Sequence, residues 1–168
     1  KFLINRAKDL ELKQITICED DVYFPDDFSI RFNNVKKYLS QKESWDVFAG
    51  LIADLHDDVK ILQVEDVEDE RYVFIDKMVS MVTNVYSDRF YDKLLAWDSR
   101  NHDAQTNTID RFIEQHENVQ TIVTSRYLVG HKEDLNSTLW GFSNITYKKL
   151  IQNSEDKLQT KIAAYIDN

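Results

Sequence analysis

The sequence is poor in the three residue types that most constrain a backbone: among 168 residues there are three glycines, one proline and one cysteine. Phosphate-binding loops of the Walker and dinucleotide types need closely spaced glycines, so neither loop is present. The single cysteine, Cys18, has no partner for an internal disulfide, which favours a reducing compartment. No apolar run approaches the ~20 residues that a membrane-spanning helix needs. Any nucleotide bound here must be held by something other than a glycine-rich loop.

The composition is that of a folded, acidic protein. Hydrophobic residues make up 42% and charged residues 30% of the chain, which places it among globular rather than disordered sequences. The length suits a single domain spanning 1–168. A net charge of -9 argues against a nucleic-acid backbone as the main partner, but it is compatible with a nucleotide that is held through a metal ion.

A short apolar segment that ends in three acidic residues is the most informative local pattern. Residues 15–18 predict a strand, and Glu19, Asp20 and Asp21 follow it directly. In open α/β sheets, ligands bind at the carboxyl ends of strands, and clustered carboxylates suit Mg²⁺ or Mn²⁺. The alternative interpretation is a solvated acidic turn, since blocks of like charge are usually exposed. The segments that surround this turn help to choose between a metal site and a solvated turn.

Apolar periodicity predicts helices and strands that alternate along the chain. A long acidic stretch, 53–70, is predicted as a surface loop with a short β excursion. The alternation predicts an α/β fold with a mostly parallel sheet flanked by helices. The predicted helices cover 1–12, 25–41, 87–97, 107–117 and 147–151, followed by a last helix from a Ser154 cap to residue 166. The predicted strands cover 15–18, 45–51, 72–85 (one long strand or two short ones) and 121–129.

Four segments taken together resemble glycosyltransferase family 25, the lipooligosaccharide-biosynthesis and collagen galactosyltransferase group. They are Glu19-Asp20-Asp21-Val22 with Pro25 and Phe28, Trp45-Asp46-Val47, Asn84-Val85-Tyr86-Ser87, and Thr108-Ile109-Asp110-Arg111-Phe112. The resemblance covers about Ile15 to Trp140, and the acidic segment is its most specific part. The chain departs from the family pattern at Thr83-Asn84-Val85 and at Thr108-Ile109, which leaves the sugar and the acceptor open.

The resemblance implies a GT-A type transferase that moves galactose or glucose from a UDP-sugar to a glycan or protein acceptor. It also implies that further family sequence would precede Lys1, so that these residues form the C-terminal portion of a transferase domain. Mn²⁺ (or Mg²⁺) would be bound by Asp21 and by Glu19, which would alternatively contact the ribose, and the acidic triplet with Asp20 would hold the metal-bound donor. Asp20 is alternatively a structural group that points the other way, because neighbours on an extended segment alternate.

The resemblance gives two further residues a role. His131 would be a third metal ligand, with an exposed loop histidine as the alternative. Asp110 would contact the acceptor or act as a general base, and the alternative is an acid that complements the positive end of a helix. Residue Trp140 would either stack on a sugar or anchor the core. We expect Asp46 to cap a turn, and the alternative is an acid at the edge of the site.

Several questions stay open on the sequence alone. We expect the other histidines, at positions 56, 102 and 116, to be solvated rather than catalytic. The alternative functions are a non-catalytic carbohydrate-binding or interaction module on a degenerate transferase fold, and a metal-dependent phosphoryl-transfer enzyme or hydrolase. The expected location is the cytoplasm or the surface of a membrane, without a membrane span.

Overall fold

The structure of the protein is a computed structural model that describes residues 1–78, 80–103, 106–116, 118–132 and 145–167. These residues form a six-stranded sheet, a separate two-stranded ribbon and five α-helices. The helices are α1 Phe2–Asp9, α2 Phe28–Ser40, α3 Tyr91–Ala96, α4 Ile109–Glu114 and α5 Ile145–Ile166, and the strands are β1 Gln14–Cys18, β2 Val22–Tyr23, β3 Val47–Ala49, β4 Ile61–Val67, β5 Glu70–Ile75, β6 Thr83–Ser87, β7 Thr121–Thr124 and β8 Gly130–His131.

The large sheet is mixed and mostly antiparallel. Its strand order is β1-β6-β3-β7-β5-β4, and β3–β7 is its one parallel pair among the described residues. The prediction of an α/β fold is therefore confirmed, whereas the prediction of a mostly parallel sheet is wrong. The acidic stretch after residue 53 contributes β4, which forms a hairpin with β5. A hairpin reverses the chain, whereas a parallel pair needs a long crossover. The short turn between β4 and β5 therefore makes the pairing of these two strands antiparallel.

The centre of the sheet is apolar on both faces. Every residue of β3 and β7 is buried, which fits strands that are covered on both sides. Gly50 directly follows β3, and a Cβ atom there would lie 3.0 Å from the carbonyl oxygen of Thr83. The glycine thus lets the end of β3 approach β6, where the Gly50 N–H donates to that same carbonyl at 2.7 Å. This edge of the sheet is the one at which β1 ends.

Two predicted helix caps have other roles. Ser87 is the last residue of β6, and its hydroxyl donates to the backbone carbonyl of Trp45 at 2.7 Å. Ser154 lies inside α5, which is one continuous helix, and its hydroxyl is 2.8 Å from that of Tyr127. A serine hydroxyl can hydrogen-bond to a free N–H group at a helix end or to a buried group distant in the sequence. Both serines here bond to the distant group. The predicted break in the last helix is therefore wrong.

None of the described helices combines the length and the apolar character that a membrane crossing demands.

Candidate functional site

The acidic turn lies where β1 leaves the sheet. The register of β1 and β6 pairs Cys18 with Thr83, and the Glu19 N–H continues this ladder by donating to the Val82 carbonyl at 2.9 Å. Asp20 and Asp21 then turn the chain into β2. The backbone at Glu19 is thus fixed by the sheet, whereas Asp21 is carried by the start of the ribbon. The prediction of a strand that ends in this acidic turn is confirmed.

The two-stranded ribbon brings His131 to the acidic turn. Strand β8 pairs with β2 so that His131 faces Val22, and the Lys132 N–H donates to the Asp21 carbonyl at 2.7 Å. The side chains then meet, with His131 Nε2 3.0 Å from Asp21 Oδ2. The imidazole is largely enclosed, with 7% of its side chain exposed, and its ring centroid lies 5.3 Å from that of Tyr147 on α5. Two residues far apart in the sequence therefore form one partly buried polar pair.

The carboxyl group of Glu19 has an altered acidity. Burial, followed by the negative charges of Asp21, Asp110 and Asp20, raises the pKa of Glu19 to about 7. Glu19 as a whole residue is exposed to solvent. The surrounding protein therefore removes only part of the water from its carboxyl group. The charges of Asp21 and Asp110 therefore act on the Glu19 carboxyl group. A bound cation is the kind of group that would relieve this repulsion.

Asp110 joins the site from α4. It lies in the first turn of that helix, where its Oδ1 atom accepts a hydrogen bond from the Arg111 N–H at 2.8 Å. This contact fits the helix-end role, because an acid near a helix N-terminus is stabilised by the helix dipole. The same carboxylate also acts on Glu19 and on the hydroxyl of Tyr86. The structure therefore gives Asp110 a helix-end position from which its charge acts on Glu19.

A buried amide behind the acidic turn was not predicted as a functional residue. Asn84 of β6 is completely buried, and its Nδ2 atom donates to the Ser80 carbonyl at 2.9 Å and to the Tyr86 hydroxyl at 3.0 Å. Burial first, and then the charges of Glu19 and Asp110, raise the pKa of Tyr86. The signal in the sequence was an asparagine inside a β-branched and aromatic run, where strands seldom place this residue.

The donor types at the acidic turn fit a divalent cation, although the described residues do not enclose one. No three His, Cys, Asp or Glu side chains in the described part of the chain are grouped so as to hold a metal ion. Asp21 and His131 contact each other, and the buried Nδ1 atom of His131 has no hydrogen-bond partner among the described residues. Two carboxylates and an imidazole form a donor set that suits Mn²⁺. Binding would replace the contact between Asp21 and His131 by bonds to the ion.

The remaining candidates lie away from the acidic turn. Asp46 is buried and its carboxylate accepts a hydrogen bond from the Gln120 N–H at 3.0 Å, so it joins the start of β3 to the residue before β7 instead of capping a local turn. His102 is exposed, as predicted. His56 is half-buried, with Nδ1 2.9 Å from Glu114 Oε1, so the prediction that it is solvated is wrong.

His116 is also half-buried, and it packs edge-on against the ring of Phe112 at 4.6 Å between centroids. The prediction that this histidine is solvated is wrong as well, because an aromatic neighbour replaces water. Trp140 lies outside the described residues, as does most of the polar loop that was predicted to contain it.

An open cleft of about 510 Å³ lies at the opposite end of β1, remote from the acidic turn. It is lined by the start of β1 and the end of β6, together with Lys13, Lys42 and Trp45. Two of its three cationic groups have carboxylate partners, because Lys13 bonds to Asp88 at 3.0 Å and Lys42 bonds to Glu65 at 2.5 Å, and the third, Arg89, donates to the Ser44 hydroxyl. The cleft therefore offers no cluster of available polar groups comparable to the one at the acidic turn.

No protein-family model matches the sequence, and no curated protein is significantly similar to it.

Proposed function

We propose that this chain binds a nucleotide sugar through a divalent cation and transfers its hexose to a glycan or protein acceptor. The contact between Asp21 Oδ2 and His131 Nε2 at 3.0 Å carries the proposal. It unites the acidic turn with a histidine 110 positions further along the chain, and Glu19 and Asp110 share the same electrostatic neighbourhood. A carboxylate and imidazole set of this kind is the donor chemistry that a nucleotide-binding Mn²⁺ site needs.

The proposed roles follow from where each side chain is held. Asp21 and His131 are the ligands on the ribbon, and Glu19 is the ligand on the sheet edge. Asp20 is exposed, and its backbone carbonyl accepts a hydrogen bond from Lys132 Nζ at 2.9 Å, so we assign it to outer contacts with the donor. A divalent ion bound at this position would neutralise the charge of the departing diphosphate.

Asp110 is the proposed acceptor-side group. A carboxylate in the first turn of α4 is held in place by the Arg111 N–H, and it is close enough to Glu19 for their charges to interact. In this position it would accept the proton of an attacking acceptor hydroxyl. The donor sugars included in the proposal are galactose and glucose, carried by UDP, as the family resemblance implies.

Sugar-nucleotide turnover tests the proposal. With UDP-galactose or UDP-glucose, Mn²⁺ and a panel of glycan acceptors, the unsubstituted protein should transfer hexose, and Asp21→Asn should lower kcat/KM by about 100-fold or more. Asp69→Asn makes the same change of charge on the exposed β4–β5 turn and should leave the rate within about twofold of the parent.

The other outcomes identify the alternative functions. Release of UDP without any acceptor, at a rate that Asp21→Asn abolishes, would instead favour a hydrolase. Transfer that persists in EDTA, or that Asp21→Asn leaves unchanged, would contradict the assignment of the site. Glycan binding without turnover of either donor would favour a non-catalytic carbohydrate-binding module.

A further inference from the structure

A strip of aromatic rings lies along α2 and begins close to the acidic turn. We define the aromatic strip as Phe24, Phe28 and Phe32: Phe28 and Phe32 are one turn apart on the same face of α2, and Phe24 precedes the helix and places its ring against that of Phe28. The ring centroids of Phe24 and Phe28 are 4.5 Å apart, and those of Phe28 and Phe32 are 5.2 Å apart with an interplanar angle of 15°. Lys36 Nζ lies 5.3 Å from the centroid of Phe32 at the far end of the strip. The rings are therefore held against one another before any ligand arrives.

Tyr23 is the exposed ring between the acidic turn and the aromatic strip in the chain. It pairs with Gly130 in the ribbon, one position from the pair formed by Val22 and His131. A Cβ atom on Gly130 would lie 3.1 Å from Tyr23 Cδ1, so the phenol ring lies against the glycine backbone. The ring is 54% exposed, and that of Phe24 is 45% exposed. The apolar surface thus begins next to the residues that are proposed to bind the donor.

The exposed area of these two rings limits what can bind them. An aromatic side chain buries about 150–250 Å² when it is covered completely, so two half-exposed rings offer on the order of 200 Å². A stable protein interface needs about 800 Å² on each partner, which is several times more. The exposed area of the two rings is about what one or two sugar rings can cover.

The charge around the rings argues in the same direction. The acidic turn and the segment before α2 carry Asp20, Asp26 and Asp27, of which Asp27 is paired with Arg126 at 2.7 Å, and the whole chain has a net charge of -9. Such a surface repels anionic lipids and nucleic-acid backbones. A neutral pyranose experiences no such repulsion. It presents a face of C–H groups that can cover an aromatic ring, while its hydroxyl groups remain at the rim, where they can reach water or carboxylates.

We propose that Tyr23 and the aromatic strip form a subsite that binds a neutral glycan acceptor. The inference rests on the proposed function, because it supplies the second substrate of that site. The glycan would lie with its sugar faces on Tyr23 and Phe24, so that its reacting end reaches the acidic turn. Burial of apolar ring surface stabilises this contact, and the preformed stacking of the phenylalanines reduces the entropy that binding would cost.

Saturation-transfer NMR tests the subsite without requiring turnover. The probes are lactose, maltotriose and N,N′-diacetylchitobiose, each added to the unsubstituted protein and to the double variant Tyr23→Ala/Phe24→Ala. We expect at least one glycan to receive saturation at its ring C–H protons, and we expect its Kd to rise by about tenfold or more in the double variant. Ile30→Ala is the matched control, because Ile30 is exposed on the opposite face of α2 from Phe28 and Phe32. It should bind as the parent does.

Each remaining outcome has a defined meaning. If no glycan of the panel binds, or if the double variant binds as well as the parent, the inference is wrong. A dimer in ultracentrifugation that the double variant abolishes would assign the rings to a second copy of the chain instead. Binding to phosphatidylserine vesicles that the variant abolishes would assign them to a membrane, and it would likewise overturn the glycan subsite.

Metal-dependent UDP binding, measured on the same samples, separates this inference from the proposed function. The double variant should retain the UDP affinity of the parent, since neither ring is a proposed metal ligand. Loss of glycan binding with UDP binding intact supports the subsite. Glycan binding that depends on these rings in a protein that fails to bind UDP would support the subsite and contradict the transferase.

Discussion

At the residue scale, Glu19 carries the clearest electrostatic feature of the acidic turn. Its carboxyl group loses part of its hydration and faces three other acids, which together raise its pKa to about 7. A carboxylic acid that titrates near neutrality beside other carboxylates is characteristic of functional sites. Between pH 4.5 and about 7, the raised pKa also means that Glu19 in the folded protein keeps a proton that the same residue has lost in the unfolded chain.

This proton uptake predicts how stability depends on pH. The folded pKa of Glu19, about 7, lies above the ordinary glutamate pKa of 4.5, so the folded state binds more protons between these two pH values. Stability should therefore fall as the pH rises from about 4.5 to 7, and Glu19→Gln should remove this part of the decline. Thermal unfolding at several pH values in EDTA measures both. An identical pH profile for the variant and the parent would contradict the electrostatic description.

The site residues differ in how well the sequence alone could predict them. The acidic turn was predictable because its three acids are adjacent and directly follow a strand. The contact between Asp21 and His131 follows from the pairing of β2 with β8, which depends on a ribbon of two residues in each strand. Such short strands leave almost no periodic signal. The metal-binding role of these residues remains a prediction.

The position of Asn84 and Tyr86 beside the acidic turn could not be predicted from the sequence, for a different reason. Their hydrogen bond forms within β6, but its significance depends on β1, which places Glu19 beside them. An isolated asparagine in a strand could equally be a surface residue on an edge strand. Only the pairing of β6 between β1 and β3 shows that it is buried.

At the scale of elements, one buried ion pair holds α2 against the sheet. Arg31 binds both carboxylate oxygens of Glu70, at 2.5 and 3.0 Å, and its guanidinium also donates to the carbonyls of Tyr127 and Arg126 at 2.9 and 2.8 Å. Both charged side chains are almost fully buried. The pair therefore connects α2, β5 and the segment between β7 and β8, the same segment that leads to His131.

Removing one partner of this ion pair should be more damaging than removing both. Arg31→Met leaves the Glu70 carboxylate buried without its cation, and it should lower the free energy of unfolding by about 3–5 kcal/mol. The double variant Arg31→Met/Glu70→Leu removes both charges and should lose less, although two carbonyls still lose their donors. Urea unfolding of both single variants and the double variant gives the coupling. Strictly additive losses would show that the two side chains do not act as a pair.

Most helices and strands were predictable from periodicity, whereas their pairing was not. The pattern at Phe28, Phe32, Val35 and Leu39 correctly indicated α2. Alternation of helices and strands predicts parallel pairing, but β4 and β5 form a hairpin, and the pairs β1–β6, β3–β6 and β5–β7 are antiparallel as well. A hairpin is decided by a few turn residues and by the absence of a crossover, which apolar patterns do not report.

At the scale of the whole molecule, net charge decides what the acidic turn can bind directly. A protein with a net charge of -9 repels the phosphates of a nucleotide, and the acids at the end of β1 add to this repulsion locally. The molecule also offers no glycine-rich loop whose N–H groups could offset it. A divalent cation between the carboxylates and a diphosphate removes the conflict. The central claim is therefore that nucleotide binding depends on the metal.

Calorimetric titration of UDP-galactose and UDP-glucose, with Mn²⁺ and with EDTA, tests this claim most directly. We predict binding of at least one donor in Mn²⁺, no measurable binding in EDTA, and a loss of affinity of about tenfold or more for Asp21→Asn and for His131→Ala. Asp69→Asn, on the distant hairpin, should bind as the parent does. Equal affinity in Mn²⁺ and in EDTA, or full affinity in both site variants, would contradict the account.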